Sequence, residues 1–435
     1  ERAYENNVLP DKGDPQVVSP KNTAATAAAV AALAQTASSP LFKRQFPGPA
    51  ALYLERARKG WAFLQNAIAK NGRDGSYQKI THYGDTFMHD DELAWAATEM
   101  FLATGDESIH QKLVAEFDPV SPAMKKWSWV RLFESCGCAI RSYAFAAASG
   151  RVAAAKLNTA HLQKCRAEIL AWAAEQRKWA AASAYGTSFP DVSKRFRTAG
   201  WYFSSDALFD ILTGDVLQPD TAALPAMLSN LNYEGGTNPN NVNFLTGLGW
   251  KRQREIVHQY ALNDSRVLPP SGIPIGNMQE GFMYLEPYKK ELGTLTFPSD
   301  GDRDHPYPFY DRWADSFNVT TEFVAVNQAR ALAGLAGLMA RTPLKTQPWR
   351  AAKALITGVP ARVAAGVPVA VRLEVEGLDT ANARIVWESA GMEPVFGKTY
   401  TCSPATGAAW IEAEAQWPDG RRAFARVEFE VTAGR

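Results

Sequence analysis

Five carboxylates, Asp302, Asp304, Asp311, Asp315 and Glu322, crowd into one stretch of sequence among Tyr307, Phe309, Tyr310, Trp313 and Phe317. Paired carboxyl groups are what glycoside hydrolysis needs, one to protonate the leaving oxygen and one to activate water. Aromatic rings beside them suit stacking on a sugar. The same residues also fit a solvated acidic loop, so residue types alone leave both readings open. Other chemistries are poorly supplied. There is no G-x-S-x-G elbow, no H-E-x-x-H helix, no phosphate-binding loop and no dinucleotide fingerprint after a strand. The 6 His show no paired ligand spacing, so no metal centre and no cofactor are expected. Asp302 and Asp304 carry the hard oxygens that Ca2+ prefers, but two aspartates do not define a site.

The elements that must position these residues are mostly helical. Leu54, Ala57, Trp61, Leu64 and Ile68 form one apolar stripe at helical spacing. Asp90 or Asp91 caps a second helix, on which Leu93, Ala96, Ala97, Met100 and Phe101 share a face and Gly105 marks the stop. Ala-rich amphipathic runs recur near 23–37, 126–149, 160–183, 200–213 and 220–231. Antiparallel helices without a fixed repeat predict a closed α/α toroid rather than a solenoid. From Asn263 to Asn318 the helical pattern fails in a Pro-, Gly- and aromatic-rich loop, a length of irregular chain that is usually functional. Helix returns near Thr320–Ala340. Beyond Lys353, alternation in Val369–Val375 and Ile411–Gln416, and the Asp419-Gly420 turn, predict about seven strands in an immunoglobulin-like sandwich. The expected division is therefore 1–345, helical, and 352–435, all β, with the sandwich a structural or spacing module.

Composition sets the outer limits. The 435 residues are 46% hydrophobic and 21% charged, which excludes wholesale disorder and makes two or three domains the expectation. Lys+Arg 46 against Asp+Glu 45 leaves a net charge of +1, too balanced for a nucleic-acid or anionic-membrane partner. Cys136, Cys138, Cys165 and Cys402 read as small core residues. The most apolar window, Ala331–Ala340, is about half the ~20 residues a bilayer span needs. The chain opens Glu1-Arg2-Ala3-Tyr4 without initiator Met or signal pattern, as a mature or trimmed product would.

Four ordered motifs resemble the catalytic domain of family 9 glycoside hydrolases, the cellulase-like enzymes. Asn22–Gln35 resembles the family's Thr-Ala-Ala-Thr helix, with Val30 at one alanine position, and His89–Ala97 followed by Ala103-Thr-Gly-Asp106 resembles its Asp-Glu-Leu-x-Trp-Ala-Ala helix. Gly236–Gly249 is similar to its Gly-x-Asn-Pro element, and Asp311–Glu322 to its last motif, an Asp-rich turn entering a helix. The resemblance implies an (α/α)6 barrel and single-displacement inversion on β-1,4-linked glucan. It implies Glu322 as general acid and His258 as a substrate contact, while Tyr307, Tyr310 and Trp313 read by residue type as stacking platforms for the sugar, and Asp311 with Arg312 as orienting acid or ligand. Two departures stand out. His258 lacks the family's adjacent arginine, and Thr321 replaces the asparagine that usually precedes the acid. The family's D-A-G-D base motif is missing, and Lys12-Gly13-Asp14 is a poor substitute. The expectation is a barrel lacking its first helices and its base, with a complementary N-terminal polypeptide as partner.

Each residue has a plainer reading. Glu322 fits a first-turn glutamate favoured by a helix N-terminus, and His258 a structural hydrogen-bonder. Tyr307, Tyr310 and Trp313 fit loop packing, and Asp311 with Arg312 either orients acid or ligand or forms a loop ion pair. Asp91 and Glu92 read as helix cap and first-turn charge. The competing functions are a non-catalytic glycan-binding or scaffold protein, a truncated inactive hydrolase, or a lyase, which would want a Tyr/His/Asn set. A secreted or periplasmic location is expected. The sugar, endo or exo action and oligomeric state are open at this stage.

Overall fold

The computed structural model describes residues 22–72, 90–121, 135–188, 204–238, 240–254, 256, 270–275, 312–313, 323, 325–343 and 352–434. The chain forms two compact units, 1–196 with 204–230 and 197–203 with 231–435. The first is helical: α1 (Thr23–Ser38), α2 (Pro40–Gln45), α3 (Pro47–Asn71), α4 (Asp90–Thr104), α5 (Glu107–Glu116), α6 (Ser135–Ala144), α7 (Thr159–Ala182) and α8 (Ala207–Leu217). A further helix, α9 (Ala223–Glu234), begins in this unit.

Helix ends follow local chemistry. The side chains of Asn22, Ser39, Asp106 and Asn158 each accept a hydrogen bond from the first turn of the helix that follows. Gly105, at φ 69°, ends α4 as expected. In α3 the stripe is realised: Ala57 and Leu64 are buried, and Trp61 and Ile68 pack on the same core. The alanines of α1 leave room for it to pack on both α3 and α4, while α4 also meets α5 and α6. At the α7–α8 crossing, a Cβ on Gly214 would lie 2.3 Å from Cβ of Ala173, so this approach requires glycine.

Helix α4 corrects the single-face expectation. Leu93, Ala96, Met100 and Phe101 are buried, but so are Thr98 and Glu99 on the other side. Glu99 is accommodated because Trp95 Nε1 donates to it over 3.2 Å, with Ser142 and Arg151 completing its shell. Burial pushes its carboxyl pKa up, against the charge of Arg151. Asp91, read as helix cap or first-turn charge, lies in the first turn of α4 and is buried. Of the cysteines, Cys136 and Cys165 are core residues as expected, whereas Cys138 and Cys402 are only half-buried.

A second polar cluster is expected to make the first unit acid-sensitive. Tyr143 hydroxyl lies 2.8 Å from His110 Nε2 and accepts from the Asn158 amide over 2.7 Å. His161 sits edge-on to Tyr143, ring centroids 4.7 Å apart, and near Phe117. Burial, then the charges of His110 and Lys164, push its pKa down to about 4, with Asp118 opposing. The unfolded chain, with a His pKa of about 6.5, therefore binds a proton that the folded chain refuses. Stability is complete above that value and is lost as pH falls through the window toward 4, by up to roughly 3 kcal/mol. Urea midpoints at pH 7 and pH 5 measure the slope, and His161→Phe is expected to flatten it. Equal slopes in both proteins would assign the effect to another group.

Among the described residues the second unit holds α10 (Ala325–Met339) and eight strands: β1 (Ala354–Thr357), β2 (Val363–Ala364), β3 (Val369–Val375), β4 (Arg384–Ser389), β5 (Val395–Phe396), β6 (Thr399–Cys402), β7 (Gly407–Gln416) and β8 (Arg422–Thr432). Sheet order is β1-β3-β6 and β2-β8-β7-β4-β5. Both sheets contribute to one buried cluster around Trp387, Ile411, Val371 and Leu373. Strand β3 alternates buried and exposed as its sequence predicts. Strand β7 does not. From Ile411 to Ala415 every residue is buried, Glu412 and Glu414 included. What covers these glutamates is the chemistry of the site.

Candidate functional site

The Gly-x-Asn-Pro element folds into a framework held by its own side chains. Asn238 Nδ2 donates to the carbonyls of Tyr233 and Val242 over 2.9 and 2.8 Å. Thr246 hydroxyl donates to Pro270 C=O over 2.6 Å and accepts from the Ile273 amide over 2.9 Å. Backbone bonds from Thr246 to Ile273 and from Ile275 to Phe244 join 244–246 to 270–275. Gly249, at φ 75°, sits where a Cβ would lie 2.8 Å from Asn243 Nδ2, which accounts for the last glycine of the motif.

The chain then runs as Lys251-Arg252-Gln253-Arg254, and its arginines cover the glutamates of the sheet. Arg254 Nη1 lies 2.5 Å from Glu412 Oε2, and Nη2 pairs with Glu388 of β4. Arg252 pairs with Glu414. Arg426 and Arg422 of β8 reach Glu412, at 2.7 Å, and Glu414 from the side. Glu388 and Glu412 are direct cross-strand partners, an arrangement of like charges that is destabilising unless bridged. Arg254 is the bridge. Burial alone would lower its pKa, but Glu412 and Glu388 outweigh that and hold it above the ordinary arginine value. Arg252 is pushed down to about 10, first by burial, which still leaves it charged at neutral pH.

Of the residues implicated from sequence, Arg312 and Trp313 lie here. Arg312 is 4% exposed. Its Nη1 is 2.5 Å from Glu388 Oε1 and donates to Arg252 C=O over 3.0 Å, while Nη2 donates to Met392 C=O over 3.1 Å. Its own carbonyl accepts from the Arg254 amide over 2.7 Å. Trp313 is half-buried. Its ring lies 4.3 Å from the Arg312 guanidinium carbon and 6.3 Å from the Trp410 ring. Glu322, His258, Tyr310 and Asp311 lie outside the described residues, as do Asp302, Asp304, Tyr307 and Asp315. Among the described residues no group of three or more His, Cys, Asp or Glu is arranged to hold a metal.

Sequence reasoning missed Arg252, Arg254, Glu388, Glu412 and Glu414. A signal was available in the matched i, i+2 spacing of Arg252 with Arg254 and of Glu412 with Glu414. It says that each pair shares one face of an extended segment, without saying that the faces meet.

The sequence model of glycosyl hydrolase family 9 matches residues 10–322, so the match runs through the whole Asp311–Glu322 motif. Among curated proteins there is no sequence match. Among solved structures, a Zn-binding triple mutant of the family 9 endoglucanase J30 is 18% identical at TM-score 0.56, covering 77% of this chain and 58% of its own. AaCel9A, solved with a cellobiose-like isofagomine, is 19% identical at TM-score 0.56, with coverages of 76% and 58%. A single-mutant thermostable endoglucanase from Alicyclobacillus acidocaldarius is 21% identical at TM-score 0.55, with coverages of 76% and 57%. This chain thus spans less than two thirds of the length of these structures. At such identities the likeness carries the fold, an α/α barrel, here followed by a C-terminal β region. Because the family match takes in residues 10–322, well over half of the chain, and the fold agrees, this protein belongs to glycosyl hydrolase family 9.

Proposed function

We propose that the chain hydrolyses β-1,4-linked glucan polysaccharide or oligosaccharide by a single inverting displacement. Glu322 protonates the leaving oxygen while an aspartate, roughly 6.5–9.5 Å away across the sugar ring, activates water. Tyr310, Trp313 and His258 contact the sugar, and Asp311 with Arg312 orients acid or ligand. The observation that carries this reading is the family match, which extends to residue 322 and so includes the motif bearing the acid. The cellobiose-like ligand of AaCel9A supports the sugar class.

The helical part is read as 1–345 and the β part as an immunoglobulin-like domain over 352–435. Support comes from the split first strand, with β1 on one sheet and β2 on the other, and from Trp387, fully buried on β4 in the position of that fold's central tryptophan. A secreted or periplasmic location follows from a polymeric substrate that does not cross membranes. No described helix is long and apolar enough to span one.

The test is release of reducing ends from soluble cellulose derivatives, lichenan, xylan and chito-oligosaccharides, with product anomers followed by NMR. Release from the β-1,4-glucans with the α-anomer appearing first is expected. Retention of glucan without release would leave a binding protein, and an unsaturated product absorbing in the ultraviolet would identify a lyase.

A further inference from the structure

Three helices of the first unit set residues at helical spacing around one cleft. Arg58, Trp61 and Gln65 stand on one face of α3. Ile109 and Lys112 share a face of α5, and Asp106 caps its start. Both helices pack on α4, and between them opens a cavity of about 640 Å³, the size of a small-molecule site. Met100 of α4 and Ile109, both buried, give it an apolar floor. The half-buried Trp61 ring packs on the core and lines the cavity as well.

The rim is polar, and much of its hydrogen-bonding capacity is open. Arg58 is exposed, and among the described residues neither its guanidinium nor the Trp61 indole N–H has a partner. Asp106 Oδ1 accepts from the Ser108 amide over 2.9 Å, the Ser108 hydroxyl over 2.6 Å and the Ile109 amide over 3.4 Å, which leaves Oδ2 as an acceptor. Lys112 Nζ lies 3.5 Å from Gln65 Oε1 and 3.9 Å from Glu116 Oε1, long contacts that a ligand hydroxyl can displace.

We propose that this cleft is a glycan-binding site, built from none of the residues of the proposed reaction, that takes a short stretch of neutral β-1,4-glucan. The mixture of charges selects the ligand. An anion would meet the Asp106 carboxylate, and a cation would meet Arg58 and Lys112. A wholly apolar ligand would bury donors and acceptors of the rim without partners, which is costly. A pyranose avoids all three penalties. Each hydroxyl both donates and accepts, so it can link a carboxylate to a guanidinium or an ammonium. The apolar face of the sugar ring lies against the floor and the indole, whose N–H gains a partner as it is covered. The choice of β-1,4-glucan among neutral pyranose chains rests on the proposed reaction, whereas the chemistry of the cleft does not.

Thio-linked cellotetraose, which resists hydrolysis, tests this by NMR of the tryptophan indole N–H groups, the Trp61 signal being the one missing from Trp61→Phe. A saturable shift of that signal is expected. In the double variant Arg58→Ala/Lys112→Ala the Kd read from it should rise about tenfold or more, because two charged donors are lost. The urea midpoint of that variant should stay at the wild-type value, since both side chains are exposed. No saturable shift, an unchanged Kd in the double variant, or saturation by inorganic phosphate in place of the sugar would overturn the inference. The readout needs no catalysis. If the wild-type protein hydrolyses no glucan while the Trp61 signal still responds, the proposed reaction fails and the glycan site stands.

Discussion

Glu322→Gln is expected to lower kcat on cellulose-type substrates by about 10²–10⁴-fold while leaving KM nearly unchanged. The amide preserves the shape of the side chain but has no proton to give, and an unactivated sugar alkoxide is a poor leaving group. An aryl cellobioside with a nitrophenol leaving group separates this role from a structural one, since a good leaving group departs without the acid. Its hydrolysis should fall far less than that of cello-oligosaccharide. Equal losses on both substrates would remove Glu322 from the acid's role. A general acid must stay protonated at the working pH, which burial or a neighbouring like charge achieves for a carboxyl group. Robust hydrolysis by the 435-residue chain that disappears with Glu322→Gln would place the base within it, with Asp311 and Asp315 the first residues to substitute.

Arg254→Met is expected to cost about 3–5 kcal/mol of stability, a large part of the about 5–15 kcal/mol that holds a typical domain folded. The loss comes less from the vanished attraction than from what remains, two buried carboxylates facing each other across β4 and β7. Adding Glu388→Gln and Glu412→Gln removes those charges and should recover much of the deficit. Buried ion pairs are often replaceable as a set though not one partner at a time. Tryptophan fluorescence during urea unfolding is a suitable probe, because Trp313 and Trp410 both lie against the Arg254 guanidinium. A midpoint within the error of wild type for the single variant would show that Arg426 and Arg312 neutralise the pair without it.

What the amino-acid sequence determined by itself is what depends on near neighbours. The stripe of α3, the caps at Asn22, Asp106 and Asn158, the stop at Gly105 and the alternation of β3 all rest on residues within a few positions of each other. The Asp419-Gly420 turn does so as well. The family motifs are local too, and Arg312 and Trp313 were singled out within one of them from the sequence alone. Partnership was a different matter. Period-two spacing placed Glu412 and Glu414 on one face of β7, and the polar character of that face argued for water. Arg254, 158 residues from Glu412 and 134 from Glu388, together with Arg252 on Glu414, made it an interior instead. Glu99 on α4 is buried in the same way, because Arg151 and Ser142 reach it from other segments. Whether a charged face meets solvent or opposite charge is settled by desolvation and Coulomb energy between distant segments. Only the tertiary structure brings those segments together.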